Sequence, residues 1–509
     1  MARRGGIASD LLEGIERRTG ITPALLSSKA SLASEQWMLS DADRLIKNAC
    51  ELAPVDPKLL EQKININLKA GNWSYFDKDF SRLCFLLSNK KYEAYARFFF
   101  NINCQPNWDS EQLFHLYQEW GNRVVRPKIQ SGIKFNNILN PQRKLKVGYI
   151  SPDFRQHAVA KFSLPIIKFH RKDDFEVFAY AHLESGVSDD WTQQFKNSVD
   201  NWREIQHWSE DELVNAIRKD QIDILVDLAG HTSNNKLSVL LQRVAPIQAS
   251  HIIGAGQTTG MPCVDYLIAT ESLWPEDQIK YAVEKVERLA FKGLIFEIPI
   301  DAPLPCDIPS LETGQVIFGV FARPVRVNQR NIRIWSDILK STPNSILRFE
   351  HAPYLEKDIQ DRYSCMFNEM GVSSDRIQFR HTRPYWKAFQ EIDIQLDPFP
   401  AGSGTTVTEG LYMGRLVVAM QDRVAMGRIA HVQLEALGLS DICSANSDQQ
   451  YVDMACSLAS DLQFLNKTSM CLRNKFMNSP ITDYATYSDI LGDAYRKWWH
   501  SYISSKEMI

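Results

Sequence analysis

The chain has 509 residues, 44% hydrophobic and 23% charged, an ordinary globular composition with length for about three domains. Its formal net charge of −3 and pI near 6.4 exclude a global basic field for nucleic acid or anionic membrane, so a phosphate ligand has to be held by local groups. Nine scattered cysteines without a CxxC pair, and no apolar run approaching about 18 residues, speak against a disulfide framework, a zinc ribbon or a membrane span, and predict a cytoplasmic protein.

Residues 1–125 have helical spacing and lack strand alternation. Glu51–Gly71 and Trp73–Leu87 form one predicted helix pair, and Lys91–Ile102 and Ser110–Val124 another. Such pairs are tetratricopeptide-like, but no 34-residue period repeats cleanly. A bundle packed on the next domain and a peptide-binding solenoid both remain open. Residues 126–143 are polar and aperiodic, a predicted linker.

From Lys144 the texture changes. LKVGYIS, FEVFAYAH, DILVDLAG, IQASHII and DYLIATE are short β-rich runs alternating with helical patterns such as Trp191–Val199 and Asp211–Lys219. This predicts a parallel α/β domain over 144–297. A proline-rich linker, 298–314, separates it from a second such series over 315–480: QVIFGVF, SILRFE, RIQFRHT, DIQLDP and LVVAM. Two successive α/β domains place a ligand crevice at the carboxyl ends of their strands, between the halves. The aromatic tail, 481–509, reads as a helix packing across both.

The most informative stretch is DPFPAGSGTTVTEGLYMG, Asp397 to Gly414. It leaves a predicted strand, turns through Gly402 and Gly404, and opens a helix at Thr405 and Thr406. Free N–H groups and the positive dipole end favour phosphate at such a turn, threonine hydroxyls can add donors, and Glu409 falls where it can reach a ribose hydroxyl. A plain strand–turn–helix junction with threonine caps is the competing reading. GxxxxGK[ST] is absent, and no DxD-like carboxylate pair flanks the turn.

Other strand ends carry candidate chemistry. SPDFRQHAVA puts His157 just beyond a strand, placed as a base or a hydrogen-bond partner for a substrate hydroxyl. DLAGHTSNNK releases Asp227, His231 and Lys236, groups suited to hydroxyls and phosphate. FARPVRVNQRN clusters Arg323, Arg326 and Arg330 behind another strand, and guanidinium forks match phosphate oxygens. In RHTRPYW, His381, Arg383 and Tyr385 cover a nucleobase or simply form a polar loop. GAGQTTG, 254–260, reads as a connecting loop.

From Lys144 onward the chain resembles the O-linked N-acetylglucosamine transferase and SPINDLY family of glycosyltransferases. The resemblance is carried by KVGYISPDFRQH, DILVDLAGHT, APIQA, DYLIATES, PNSILRFE and above all DIQLDPFPAGSGTTVTEGLYMG. FFFNINCQPNWDSEQLFHLYQEWGNRV is similar to that family's last repeat before its catalytic region. The resemblance implies a GT-B fold: two Rossmann-like domains facing across a cleft, behind a helical N-terminal domain. It implies metal-independent, inverting transfer from a nucleotide sugar to a protein side chain, serine or threonine first, with no cofactor and a UDP sugar as the first-choice donor. By the same resemblance Gly404, Thr405 and Thr406 cradle the diphosphate, Glu409 holds the ribose and His157 is the active-site histidine. Arg326 falls where the family has a phosphate-binding lysine, Tyr385 where it has a histidine near the base, and His251, in HIIGAGQT, where it has a tryptophan. These departures leave the donor open among a UDP-hexosamine, a GDP-deoxyhexose and a CMP-linked acid. They also keep alive a non-catalytic GT-B scaffold that binds proteins. Expected partners are a nucleotide sugar and an acceptor protein, not nucleic acid.

Overall fold

The computed structural model describes residues 2–88, 90–183, 188–422 and 425–507, with the side chains of all of these except 2–7 and 255. Residues 1, 89, 508 and 509 of the predicted helical regions lie outside the described residues.

The first α/β half is a seven-stranded parallel sheet of β1 (Leu145–Ser151), β2 (Phe175–Ala181), β3 (Asn201–Glu204), β4 (Ile224–Asp227), β5 (Ile247–His251), β6 (Tyr266–Thr270) and β7 (Lys285–Leu289). Its order is β3-β2-β1-β4-β5-β6-β7. The second half is six-stranded: β8 (Val316–Val320), β9 (Ser345–Glu350), β10 (Ile377–Arg380), β11 (Ile394–Leu396), β12 (Leu416–Met420) and β13 (Ser444–Ala445), in the order β10-β9-β8-β11-β12-β13. Parallel strands need crossovers, and helices such as Ala160–Lys168 and Gln329–Ser341 supply them. Central strands are buried on both faces, which is why they read as near-continuous apolar runs. The strands that sequence reading missed, β3, β7 and the two-residue β13, are at or next to the sheet edges; β3 and β7 are largely half-buried and carry polar residues.

In each sheet the strand order reverses once, between β1 and β4 and between β8 and β11. These are topological switch points, where a crevice opens at the strand carboxyl ends. The halves are Rossmann-like and arranged as in a GT-B fold.

The N-terminal region is helical through Trp120. The predicted helix Glu51–Gly71 is two helices: Leu39–Leu52 ends before Pro54, and Pro57–Lys69 restarts with Asp56 accepting from Lys58 N at 2.8 Å. Lys91–Ile102 likewise splits into Lys91–Ala96 and Phe99–Ile102. This region packs on both halves. Its core residues Leu60, Ile64 and Phe76 share a cluster with Val325, Ala401 and Met426 of the second half. Gly121 lies against the first half so closely that a Cβ there would sit 1.9 Å from Gly260 O.

Within the tail 481–509, Ile481 joins the core that holds Val432 and Leu434 of the second half, whereas the helix Tyr484–Glu507 packs on the first. Its buried aromatic side chains join the core of the first half rather than bridging the two: Trp498 stacks on Tyr266 at 4.0 Å, and Tyr495 shares a 3.0 Å hydrogen bond with Tyr149. No helix among the described residues is long and apolar enough to cross a membrane.

Candidate active site

The loops leaving the two switch points meet across the cleft. From β1 comes the turn 152–159, leading into helix Ala160–Lys168; from β11 comes 397–404, leading into helix Thr405–Tyr412. Thr405 Oγ1 lies 3.4 Å from Ala158 O, and a Cβ on Gly404 would be 3.6 Å from the Phe162 ring.

The β11 loop is curled on a buried carboxylate. Asp397 accepts from Ser403 N at 3.0 and 3.1 Å, and only a glycine fits at 402, where a Cβ would lie 2.6 Å from Asp397 Oδ2. Burial pushes the Asp397 pKa up to about 7 against the pull of these hydrogen bonds. Asn328 and Asn331 donate to Phe399 O at 2.7 and 3.0 Å and pin the loop to the helix behind β8. The helix then starts at Gly404 with no side-chain cap, and its first intrahelical bond is Thr408 N to Gly404 O. The N–H groups of Thr405, Thr406 and Val407 therefore face the cleft end of the helix without intrahelical partners. A helix start of this kind is suited to an anion.

The three arginines behind β8 separate. Arg330 is committed to two carboxylates, Asp448 at 2.5 Å and Asp422 at 3.1 Å. Arg326 and Arg323 have no carboxylate within ion-pair distance among the described residues. Arg326 is half-buried beside the β11 loop, its Nη1 3.4 Å from Ala401 O. Arg323 lies 5.5 Å over the Phe100 ring, and burial with the Arg326 charge pushes its pKa down to about 10. Two guanidiniums without an ion pair among the described residues, with only the buried Asp397 carboxylate within electrostatic reach of Arg326, beside a free helix N-terminus form surroundings suited to an anion.

His157 faces this cluster from the other half. Its side chain is 36% exposed; burial first, then Arg155 and Arg323, push its pKa down to about 4, so the imidazole is neutral near pH 7. Its Nδ1 meets Asp153 Oδ1 and Val159 N, each at 3.3 Å, and among the described residues its Nε2 has no hydrogen bond.

Glu409 is buried beneath the helix. Lys161 pairs with its Oε1 across the cleft, and Tyr385 OH donates to Oε2 at 2.5 Å. Glu409 is 1% exposed, so a ribose hydroxyl reaches its remaining lone pairs only where Lys161 or Tyr385 yields its place. Lys161 and Asp153 are the groups sequence reading missed. A lysine in the first turn of a helix opposes the dipole, and that mismatch was the available signal.

Two predicted donor-binding residues are not free for a ligand. Asp227 accepts from Gly230 N at 2.8 Å, Ala229 N at 3.2 Å and Ser250 Oγ at 2.9 Å, stabilising its own loop. His231 donates from Nε2 to Thr259 O at 2.8 Å and packs among the rings of Phe99, Tyr117 and Trp120. His251 is a core residue bonded to Tyr487 OH at 2.7 Å, so its difference from tryptophan does not reach the cleft.

The model of glycosyl transferase family 41 matches residues 128–299 and 308–491, spanning both halves and both switch points. The chain belongs to this family. It is 33% identical over 404 residues to a SPINDLY protein of Arabidopsis thaliana, described as a probable UDP-N-acetylglucosamine–peptide N-acetylglucosaminyltransferase, covering 77% of this chain and 43% of that one. The barley (Hordeum vulgare) SPINDLY is also 33% identical, over 413 residues, 79% of this chain and 43% of that protein. The chain thus spans less than half the length of these relatives. A mutant of the O-GlcNAc transferase of Thermobaculum terrenum superposes with a TM-score of 0.91 at 25% identity, over 99% of this chain and 96% of that one.

Proposed function

We propose that this family member transfers a sugar from a nucleotide-sugar donor to a serine or threonine of an acceptor protein, with inversion and without a metal or other cofactor. UDP-N-acetylglucosamine is the proposed donor, since the relatives' descriptions name it. The observation that carries the reading is the meeting of the two switch points. One supplies a bare helix N-terminus and unpaired Arg326; the other supplies a neutral, half-exposed imidazole. The diphosphate lies on the N–H groups of Thr405 and Thr406 with Arg326 beside it, and Glu409 takes the ribose. The acceptor oxygen attacks the anomeric carbon from the His157 side while the diphosphate leaves toward the positive groups. Stabilising charge as it develops is the kind of interaction that contributes most to turnover.

Calorimetric titration with UDP, GDP and CMP, followed by mass spectrometry of an acceptor protein incubated with the matching nucleotide sugar, tests this. One nucleotide should bind clearly best and the acceptor should gain the sugar's mass, with or without chelator. Nucleotide binding without any transfer would favour the scaffold reading. Transfer lost to chelator and restored by magnesium or manganese would overturn the assignment of Arg326 as the main counter-charge.

A further inference from the structure

At the ends of the neighbouring strands β1 and β4 the fold buries two acids, Asp153 and Asp227, near enough that the charge of Asp153 raises the pKa of Asp227. The chain treats them differently. Asp227 has three donors and is fully employed in holding its loop. Asp153 is 5% exposed, its Oδ2 has no hydrogen-bond partner, and its Oδ1 lies within ion-pair range of His157 Nδ1, at 3.3 Å, without forming a hydrogen bond to it. A buried carboxyl oxygen left unpaired weakens a fold, so stability alone gives no reason for this arrangement.

We propose that Asp153 is the positioning residue for His157: it accepts the proton on Nδ1 and thereby leaves Nε2 bare toward the cleft. The proposal rests on the transfer reading above. As the acceptor oxygen bonds to the anomeric carbon, its hydrogen passes to Nε2. The carbon–oxygen bond to the diphosphate breaks, and its electron pair leaves on the phosphate oxygen. The imidazolium formed is held by the Asp153 carboxylate, whose Oδ1 lies within ion-pair range of Nδ1 at 3.3 Å. A buried acid that is poorly compensated at rest is then compensated when positive charge appears beside it. The other charges around the pair are Arg155 on the same loop, Arg323 behind β8 and Asp227 at β4. The hydrogen bond formed at Nδ1 in this structure comes from Val159 N–H, at 3.3 Å, and favours the opposite tautomer, so the Asp153 carboxylate has to outweigh it.

The full chain labelled with 15N-histidine, with His157→Gln for assignment, reads the tautomer directly by long-range nitrogen–proton NMR. Wild-type His157 should carry its proton on Nδ1 at neutral pH. Asp153→Asn, which puts an amide donor at Nδ1, should move it to Nε2. Turnover should then fall on the order of 10²–10⁴-fold with UDP affinity unchanged. Wild-type His157 protonated on Nε2, a tautomer indifferent to the substitution, or unaltered turnover would each overturn the proposal. If Asp153→Asn does not fold, the wild-type tautomer alone decides. If the wild type transfers no sugar at all, the proposed function fails, while the NMR result still rules on the pair.

Discussion

The turns after β1 and β4 carry the same short pattern, an acid followed four residues later by a histidine: Asp153 and His157 in one, Asp227 and His231 in the other. Both leave adjacent strands at one switch point, and burial pushes both imidazoles down to about 4. Their surroundings differ. The N-terminal helices lay Phe99, Tyr117 and Trp120 over His231, and its Nε2 is used by Thr259 O. Over His157 they lay no ring among the described residues, and what approaches instead is the helix start at Thr405 from the other half. A histidine at a strand end becomes a reacting group or a packing group according to which neighbour closes over it.

On this difference, cleft-facing groups should govern turnover and covered ones should govern stability. The hardest test is the cation opposite His157. Arg326→Ala should lower turnover roughly 10²–10³-fold, the usual effect of losing a preorganised electrostatic group. Arg326→Lys should recover part of that, because a point charge does not reproduce a fork. Steady-state kinetics on one acceptor measures both, and near-normal turnover in Arg326→Ala would transfer the role to Arg323.

Next comes the histidine pair itself. His157→Ala should lose about 10²-fold or more in turnover with nucleotide affinity nearly intact. His231→Ala should retain nucleotide affinity but melt at a lower temperature, having lost about 2–4 kcal/mol of packing. Equal turnover losses in the two, with equal melting temperatures, would erase the distinction.

A smaller effect is expected at the anion cradle. Thr405→Ala with Thr406→Ala should weaken nucleotide binding by at most about 1.5–3 kcal/mol for each hydroxyl, without unfolding. Calorimetry and a melting curve read this together. An unchanged dissociation constant would return both threonines to a purely local role.

The gentlest test is pH. The folded-state pKa of His231 lies near 4, below its ordinary 6.5, so between these values the unfolded chain binds more protons than the folded one. The contribution of His231 to stability is therefore complete above pH 6.5 and is lost as pH falls toward 4. His231→Phe should flatten that part of the melting-temperature profile. A profile identical to wild type would show that other buried histidines, such as His170 and His251, account for it.

Much of this molecule was legible before folding. Buried parallel strands must be apolar on both faces, so β1, β2, β4, β5, β6 and most of the second sheet announced themselves, and the turn at 402–406 needs glycine and then free N–H groups whatever surrounds it. The half-buried β3 and β7 gave no such signal. What the sequence could not decide is which polar side chains would be left with unused hydrogen-bonding capacity. Arg330 finds Asp448 and Asp422, Asp227 finds Ser250 and its own loop, and the tail helix lays Tyr487 against His251; each partner is far away in the chain or set by a turn geometry that composition does not specify. Arg326, the helix start at Thr405 and the Nε2 of His157 keep theirs because they lie where the two halves meet across the cleft. Local chemistry follows from short-range sequence. Availability is settled by long-range packing, because a hydrogen bond or an ion pair is consumed by whichever group the fold brings nearest.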